Sequence, residues 1–221
     1  MTRLCIVAEG QTEETFIEEF LRPLLTEHGV VLMPSIQMNG NVKYGRLKDL
    51  VVRRLKEQSG AFCTTFVDYY GRNGQFPGEE SIGEFDPVGR KKSILEDAFR
   101  TDVEKEMGKG FDGRRFVPYI QMYEFEGLLF SDPERFAEGL YKPELAPRLR
   151  AIRDLFNSPE EINNDRTSAP SKRVLAVYPG YEKVVEGVLA AHTIGLDTIR
   201  AGCPLFNGWV ETLLGLRPPP T

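Results

Sequence analysis

Two acidic residues stand where a short apolar run gives way to a turn: Glu9 after residues 4–8, and Asp68 after residues 61–67. Glu124 and Glu126 follow a further run at 116–122, and Glu13 lies four residues beyond Glu9. Carboxylates gathered at short range repel one another and raise each other's pKa. A divalent cation removes that penalty, and Mg2+ in particular is held by one or two carboxylates together with water and phosphate oxygens. A single acid at a loop tip is more often a solvating group or a helix cap. Glu13, one helical turn past Glu9, could face the same site, although a first-turn Glu needs only the helix dipole to explain it. Glu9 and Asp68 are the stronger pair, because both directly follow apolar strands and ligands of parallel sheets bind at that edge. The chemistry to expect is the binding of Mg2+ (or Mn2+).

These acids need a scaffold, and the hydrophobic spacing supplies one. Phe16, Ile17, Phe20, Leu21, Leu24 and Leu25 share one face only if the segment is helical. Thr12 reads as its N-cap, and Pro23 predicts a bend or a break just before it. Residues 30–38 read as a second strand ending in Asn39-Gly40-Asn41. Leu47, Leu50, Val51 and Leu55 make a second amphipathic helix. The run 61–67 makes the third strand, Ile94, Leu95, Ala98, Phe99 and Val103 mark a third helix, and 116–122 is the fourth strand. Strands separated by helices of this length form βαβ units in a parallel sheet. The expected fold is α/β: a Rossmann-like, four-stranded parallel sheet flanked by helices, spanning 1–131. Helical pieces around 124–139, 143–157, 181–192 and 204–215 give a C-terminal extension over 132–221, ending in a short Pro-rich tail. The long stretch 71–87 reads as a lid or strand-guiding loop anchored by Phe76, Ile82 and Phe85.

The totals narrow the functional classes. The chain has 221 residues, 28 Lys and Arg against 33 Asp and Glu, and a net charge of −5. That argues against a histone-like binder but leaves room for a local basic groove. Such a groove is offered by the second helix, where Arg46, Arg53 and Arg54 are candidates to track a phosphate backbone, against the plainer reading of a solvated face. Three cysteines without paired spacing give neither a disulfide framework nor a zinc knuckle. Two histidines leave a Ser-His-Asp site poorly supplied. No segment has the roughly 20 apolar residues of a membrane span, so a cytoplasmic location is expected. No P-loop and no dinucleotide-binding glycine motif is present.

The run Ile6-Val7-Ala8-Glu9-Gly10-Gln11-Thr12-Glu13 resembles the opening motif of the Toprim domain, found in topoisomerases, bacterial primases and nucleases of the overcoming-lysogenization-defect type. In those nucleases a Glu and an acid four residues later are both metal ligands, which implies such roles for Glu9 and Glu13. The family's second motif, Asp-x-Asp, falls here on Asp68-Tyr69-Tyr70, which lacks the second Asp unless Glu124 or Glu126 replaces it. The blocks EGQTEETF, VDYYG with FPG, YEFEGLLFSD and APSKR also resemble a bacterial family of unknown function with this fold, often encoded beside ATPases. The resemblance implies a metal-dependent phosphodiester nuclease, or nuclease subunit, with an ATPase partner and nucleic acid as substrate. Glu9 would be catalytic, and Lys172, in the run after Pro170, would neutralise charge developing on phosphate. A non-catalytic metal- or partner-binding regulatory subunit stays open beside it.

Overall fold

A strand covered on both faces reads as a nearly continuous apolar run, and β1 (Thr2–Ala8) is buried at every residue but Arg3. Glu9 and Gly10 lead into α1 (Gln11–Phe16), a π-helical turn at Ile17–Leu21 and α2 (Arg22–Glu27). There follow β2 (Val30–Leu32), β3 (Ile36–Gln37), β4 (Val42–Lys43), α3 (Tyr44–Glu57), β5 (Phe62–Asp68), β6 (Arg72–Asn73), α4 (Val88–Met107), β7 (Phe116–Val117) and β8 (Ile120–Gln121). This computed structural model describes residues 1–40, 42–73, 76–162 and 166–217, without the side chains of Arg72, Asn73 and Arg166. Asn41 of the expected turn and the Pro-rich tail beyond Arg217 lie outside the described residues. The chain divides into two compact units, Met1–Ile120 with Glu211–Thr221, and Gln121–Val210.

The first unit is an α/β layer structure with a parallel sheet flanked by helices. The sheet runs in the order β2-β1-β5-β7, with β3 also on β1. Each of these pairings is parallel, and Cys5 stands opposite Cys63 in the register. Cys5, Val7, Cys63 and Val67 meet Leu47, Val51 and Leu55 of α3 and Leu95, Phe99 and Val103 of α4 in one buried cluster. Leu4 and Ile6, on the alternate positions of β1, are also fully buried, and Phe66 meets the ring of Phe16 from α1 at 6.1 Å. Truncating a ring such as Phe99 to Ala would cost about 3–5 kcal/mol.

Proline sets most departures from the expected elements. The second strand is two pieces, β2 and β3, with Pro34 between them, because proline cannot donate to a ladder. The fourth is likewise β7 and β8, interrupted at Pro118. There the Thr65 hydroxyl replaces the missing ladder, accepting from the Tyr119 N–H at 2.9 Å and donating to the Tyr119 carbonyl at 2.8 Å. Pro23 lies inside one continuous helical run, directly after the π turn, whose wider backbone takes up the proline that a regular helix interior disfavours. Thr12 is not the N-cap of α1: the cap is Gly10, and Thr12 is buried within the first turn. In the 71–87 stretch, Phe76 is buried against Tyr44 and Phe99, and Ile82 rests on the same core. Phe85 is 92% exposed and anchors nothing.

The second unit is helical. It contains α5 (Glu126–Leu129), α6 (Pro133–Gly139), α7 (Ala146–Arg153), α8 (Pro170–Val177), α9 (Val188–Ile194), α10 (Leu196–Gly202) and the start of α11 (Pro204–Leu214). The expected helices at 124–139 and 143–157 are shorter, and α8 and α10 were not foreseen. Gly139 lets α6 approach α9 closely, since a Cβ there would meet the Ala190 Cα at 2.5 Å. Phe206 and Trp209 are buried, as a core reading of their helical spacing requires. Buried Glu160 accepts from the Leu205 and Phe206 N–H groups, each at 2.8 Å, and so caps α11. Among the described residues no helix is long and apolar enough to cross a membrane.

Candidate metal centre

β1 and β5 are adjacent and parallel, so the residues that follow them emerge at the same edge. The ladder continues one step past β1, with the Glu9 N–H donating to the Phe66 carbonyl at 3.0 Å. On the other side the Gly40 N–H donates to the Glu9 carbonyl at 3.0 Å. The main chain of Glu9 is therefore fixed from both sides. Its carboxylate accepts the Asp68 N–H at 2.8 Å, which brings the half-buried Glu9 side chain to the residue that bears the second acid. Asp68 is itself 2% exposed.

Two further features complete this edge. Short strands β4 and β6 pair in parallel, and the Val42 N–H donates to the Gly71 carbonyl at 3.1 Å. The loop after β5 is thereby drawn to the loop after β3, and Gly71 comes to lie on the Glu9 carboxylate. A Cβ at Gly71 would stand 2.1 Å from Glu9 Oε2, closer than any real contact. Glu13, 2% exposed, turns its carboxylate to the Gly10 N–H at 3.0 Å, closing the capping box of α1. Glu13 thus has a structural duty at the same edge.

The donor set is all carboxylate oxygen, which suits a hard divalent cation. Among the described residues no three His, Cys, Asp or Glu side chains gather into a metal cage. What fits is an ion held by one or two carboxylates with water and phosphate filling the rest, the habit of Mg2+. Tyr70, two residues past Asp68, packs edge to face with Tyr69, the ring centroids 5.4 Å apart.

Glu124, Glu126 and Lys172 belong to the second unit. The Glu124 carboxylate accepts the Ser171 N–H at 2.8 Å at the start of α8, and Lys172 beside it is exposed. Glu126 is fully buried, with the Lys183 ammonium 3.6 Å from its carboxylate. Burial, then the Glu126 charge, pushes the Tyr181 hydroxyl well above the usual phenol range. No spacing in the sequence announces the partnership of Glu126 with Lys183. Gly71 was missed too, although the glycine closing the VDYYG block was its signal.

The arginines of α3 fall into two groups. Arg46 donates to the Met38 carbonyl at 3.2 Å, and Met38 is bonded to the end of β1 through Ala8. Arg53 and Arg54, at the far end of the helix, share Glu57 at 3.9 and 3.1 Å. Arg115 is structural, donating to the carbonyls of Ala61, Leu55 and Gln58.

A family described as a domain of unknown function, DUF4276, matches residues 8–214. No curated protein matches the sequence. Two solved structures of the C-terminal region of the Xanthomonas campestris pv. campestris OLD protein are similar to it, one phased with iodine and one with mercury. They are 16% and 15% identical, with TM-scores of 0.41 and 0.43. Each comparison covers 97% of this chain and 95% of the other.

Proposed function

The chain belongs to the DUF4276 family, and from that premise we propose that it is a Mg2+-dependent phosphodiester nuclease, or nuclease subunit, working with an ATPase partner. The observation that carries this reading is the Glu9 carboxylate held on the Asp68 N–H at 2.8 Å, at the carboxyl edge of the sheet. The resemblance of the Glu9 and Asp68 segments to Toprim motifs supports it.

A divalent ion bound there supplies an acidified water and positive charge against the phosphate. The chain's own residues do the rest. Glu9 and Asp68 provide the anionic oxygens, and the Asp68 N–H fixes the orientation of Glu9. Burial of Asp68 keeps competing water away and strengthens its field. Glu13 would join them if a second ion binds, through the carboxylate oxygen that does not accept the Gly10 N–H. The proposal needs residues of the first unit alone; Glu124 and Glu126 already serve α8 and Lys183. A second reading, a regulatory subunit without catalysis, is favoured by Tyr70 standing where the motif has an acid.

One assay separates the two. The purified chain, with any ATPase encoded beside it, should nick or degrade DNA or RNA in Mn2+. Activity should fall by orders of magnitude in Glu9→Gln and Asp68→Asn, which keep size but remove the charge. Glu27→Gln, exposed at the end of α2, should cleave like wild type. Intact nucleic acid with the partner present favours the regulatory subunit instead, and full activity in Glu9→Gln removes Glu9 from the chemistry and overturns this site.

A further inference from the structure

The first unit holds a cavity of about 460 Å3 bounded by the starts of β5 and β7, the fourth turn of α4, and the end of α11 with the residues after it. It lies at the amino-terminal ends of these strands, whereas Glu9 and Asp68 follow the carboxyl ends. Phe62, Phe116, Val117 and Leu216 give it an apolar floor, and Arg100, Arg114 and Arg217 line it together with Asp112. The C-terminal side of the wall is tied to β1 by the Thr2 hydroxyl, which donates to the Leu216 carbonyl at 3.4 Å.

Three guanidinium groups against one carboxylate leave this lining with an excess of two positive charges. Asp112 is committed to Arg114, accepting from its Nε at 2.9 Å and its Nη2 at 2.7 Å, which holds that planar fork in place. Arg217 donates to the main-chain carbonyls of Leu214 and Leu216 at 3.2 and 2.8 Å. Its head is positioned while its charge is left unneutralised by those bonds. Arg100 is exposed on α4. The Glu104 carboxylate lies against Gly113 beside this rim but does not line the cavity.

Guanidinium forks suit phosphate, the floor suits a ring or sugar, and the volume is within the roughly 300–1,000 Å3 of small-molecule sites. We propose that this cavity binds a mononucleotide, with its phosphate on Arg100 and Arg217 and its nucleoside over Phe62, Phe116 and Leu216. The inference does not rest on the nuclease reading.

Calorimetric titration of the full chain with AMP and UMP tests it. At least one should bind, and adenosine, uridine or inorganic phosphate alone should each bind about tenfold or more weakly. Arg100→Gln and Arg217→Gln should each weaken the nucleotide about tenfold. Gly215→Leu should abolish binding by filling the cavity. A Cβ there meets the Glu211 and Thr212 carbonyls at 3.4 and 3.5 Å, ordinary contact distances, and a melt checks that the leucine variant folds. Glu9→Gln should bind the nucleotide like wild type. Failure of both nucleotides at millimolar concentration, or affinity unchanged in Arg100→Gln and Gly215→Leu, overturns the proposal. Inorganic phosphate binding as tightly as AMP does so as well, since the apolar floor would then contribute nothing.

Discussion

The Asp68 N–H donates to the Glu9 carboxylate, and against that carboxylate lies a residue with no side chain. Gly71 leaves the room in which the Glu9 carboxylate sits, so Gly71→Ala must push that carboxylate aside, its Cβ otherwise standing 2.1 Å from Oε2. The displaced carboxylate gives up its bond from the Asp68 N–H, so stability should fall by about 1–3 kcal/mol, the usual effect of leaving a donor unpaired. Mn2+ affinity should fall about tenfold. Titration calorimetry beside a melt checks both; unaltered affinity would mean that the position of Glu9 does not matter to the ion. Glu9 and Asp68 were legible in the sequence because each directly follows an apolar run. The role of Gly71 was not, because it depends on β4 and β6 drawing two distant loops together. Thr12 misled because a hydroxyl before a helix is a common cap, whereas here Gly10 and Glu13 form the box.

At the scale of elements, α3 and α4 are joined beside the core by the Tyr44 hydroxyl donating to Asp102, with Lys48 3.2 Å from the same carboxylate. Burial raises the Asp102 pKa, but the bonds from Tyr44 and Lys48 outweigh it, and the net position is below the usual carboxylate range. Burial and Asp102 hold the Tyr44 hydroxyl far above the ordinary phenol range, so it stays protonated throughout. A carboxylate with a depressed pKa contributes stability that is complete above its unfolded value, about 3.9, and lost as pH falls through the folded one. Tyr44→Phe keeps the ring contacts to Phe76 and Phe99 and removes only the hydroxyl. Its deficit in denaturant melts should be full near neutral pH and shrink below about pH 4; a deficit independent of pH would show that Asp102 is not its source. The helices themselves were legible through their apolar spacing, as were β1 and β5. The breaks at Pro34 and Pro118 were written in the sequence but overridden there by the surrounding apolar runs. In the second unit prolines and short helices blur the period, and α8 and α10 went unseen for that reason.

At the scale of the whole molecule, a net charge of −5 does nothing to attract nucleic acid, and a cation at the acid edge is the natural counterweight. Composition and the alternation of strand and helix were enough to give an α/β unit followed by helices. They were not enough to show that residues 211–217 return to the first unit, since that requires contacts no periodicity encodes. The central claim is that Glu9 and Asp68 together hold a divalent ion. It is tested most directly by titrating Mn2+ into the full chain and following the loss of the unbound-ion signal by electron paramagnetic resonance. The wild type should take up Mn2+ in a manner reversed by Mg2+, and both Glu9→Gln and Asp68→Asn should bind it about tenfold or more weakly. No uptake at millimolar Mn2+, or equal uptake in Asp68→Asn, would contradict the account.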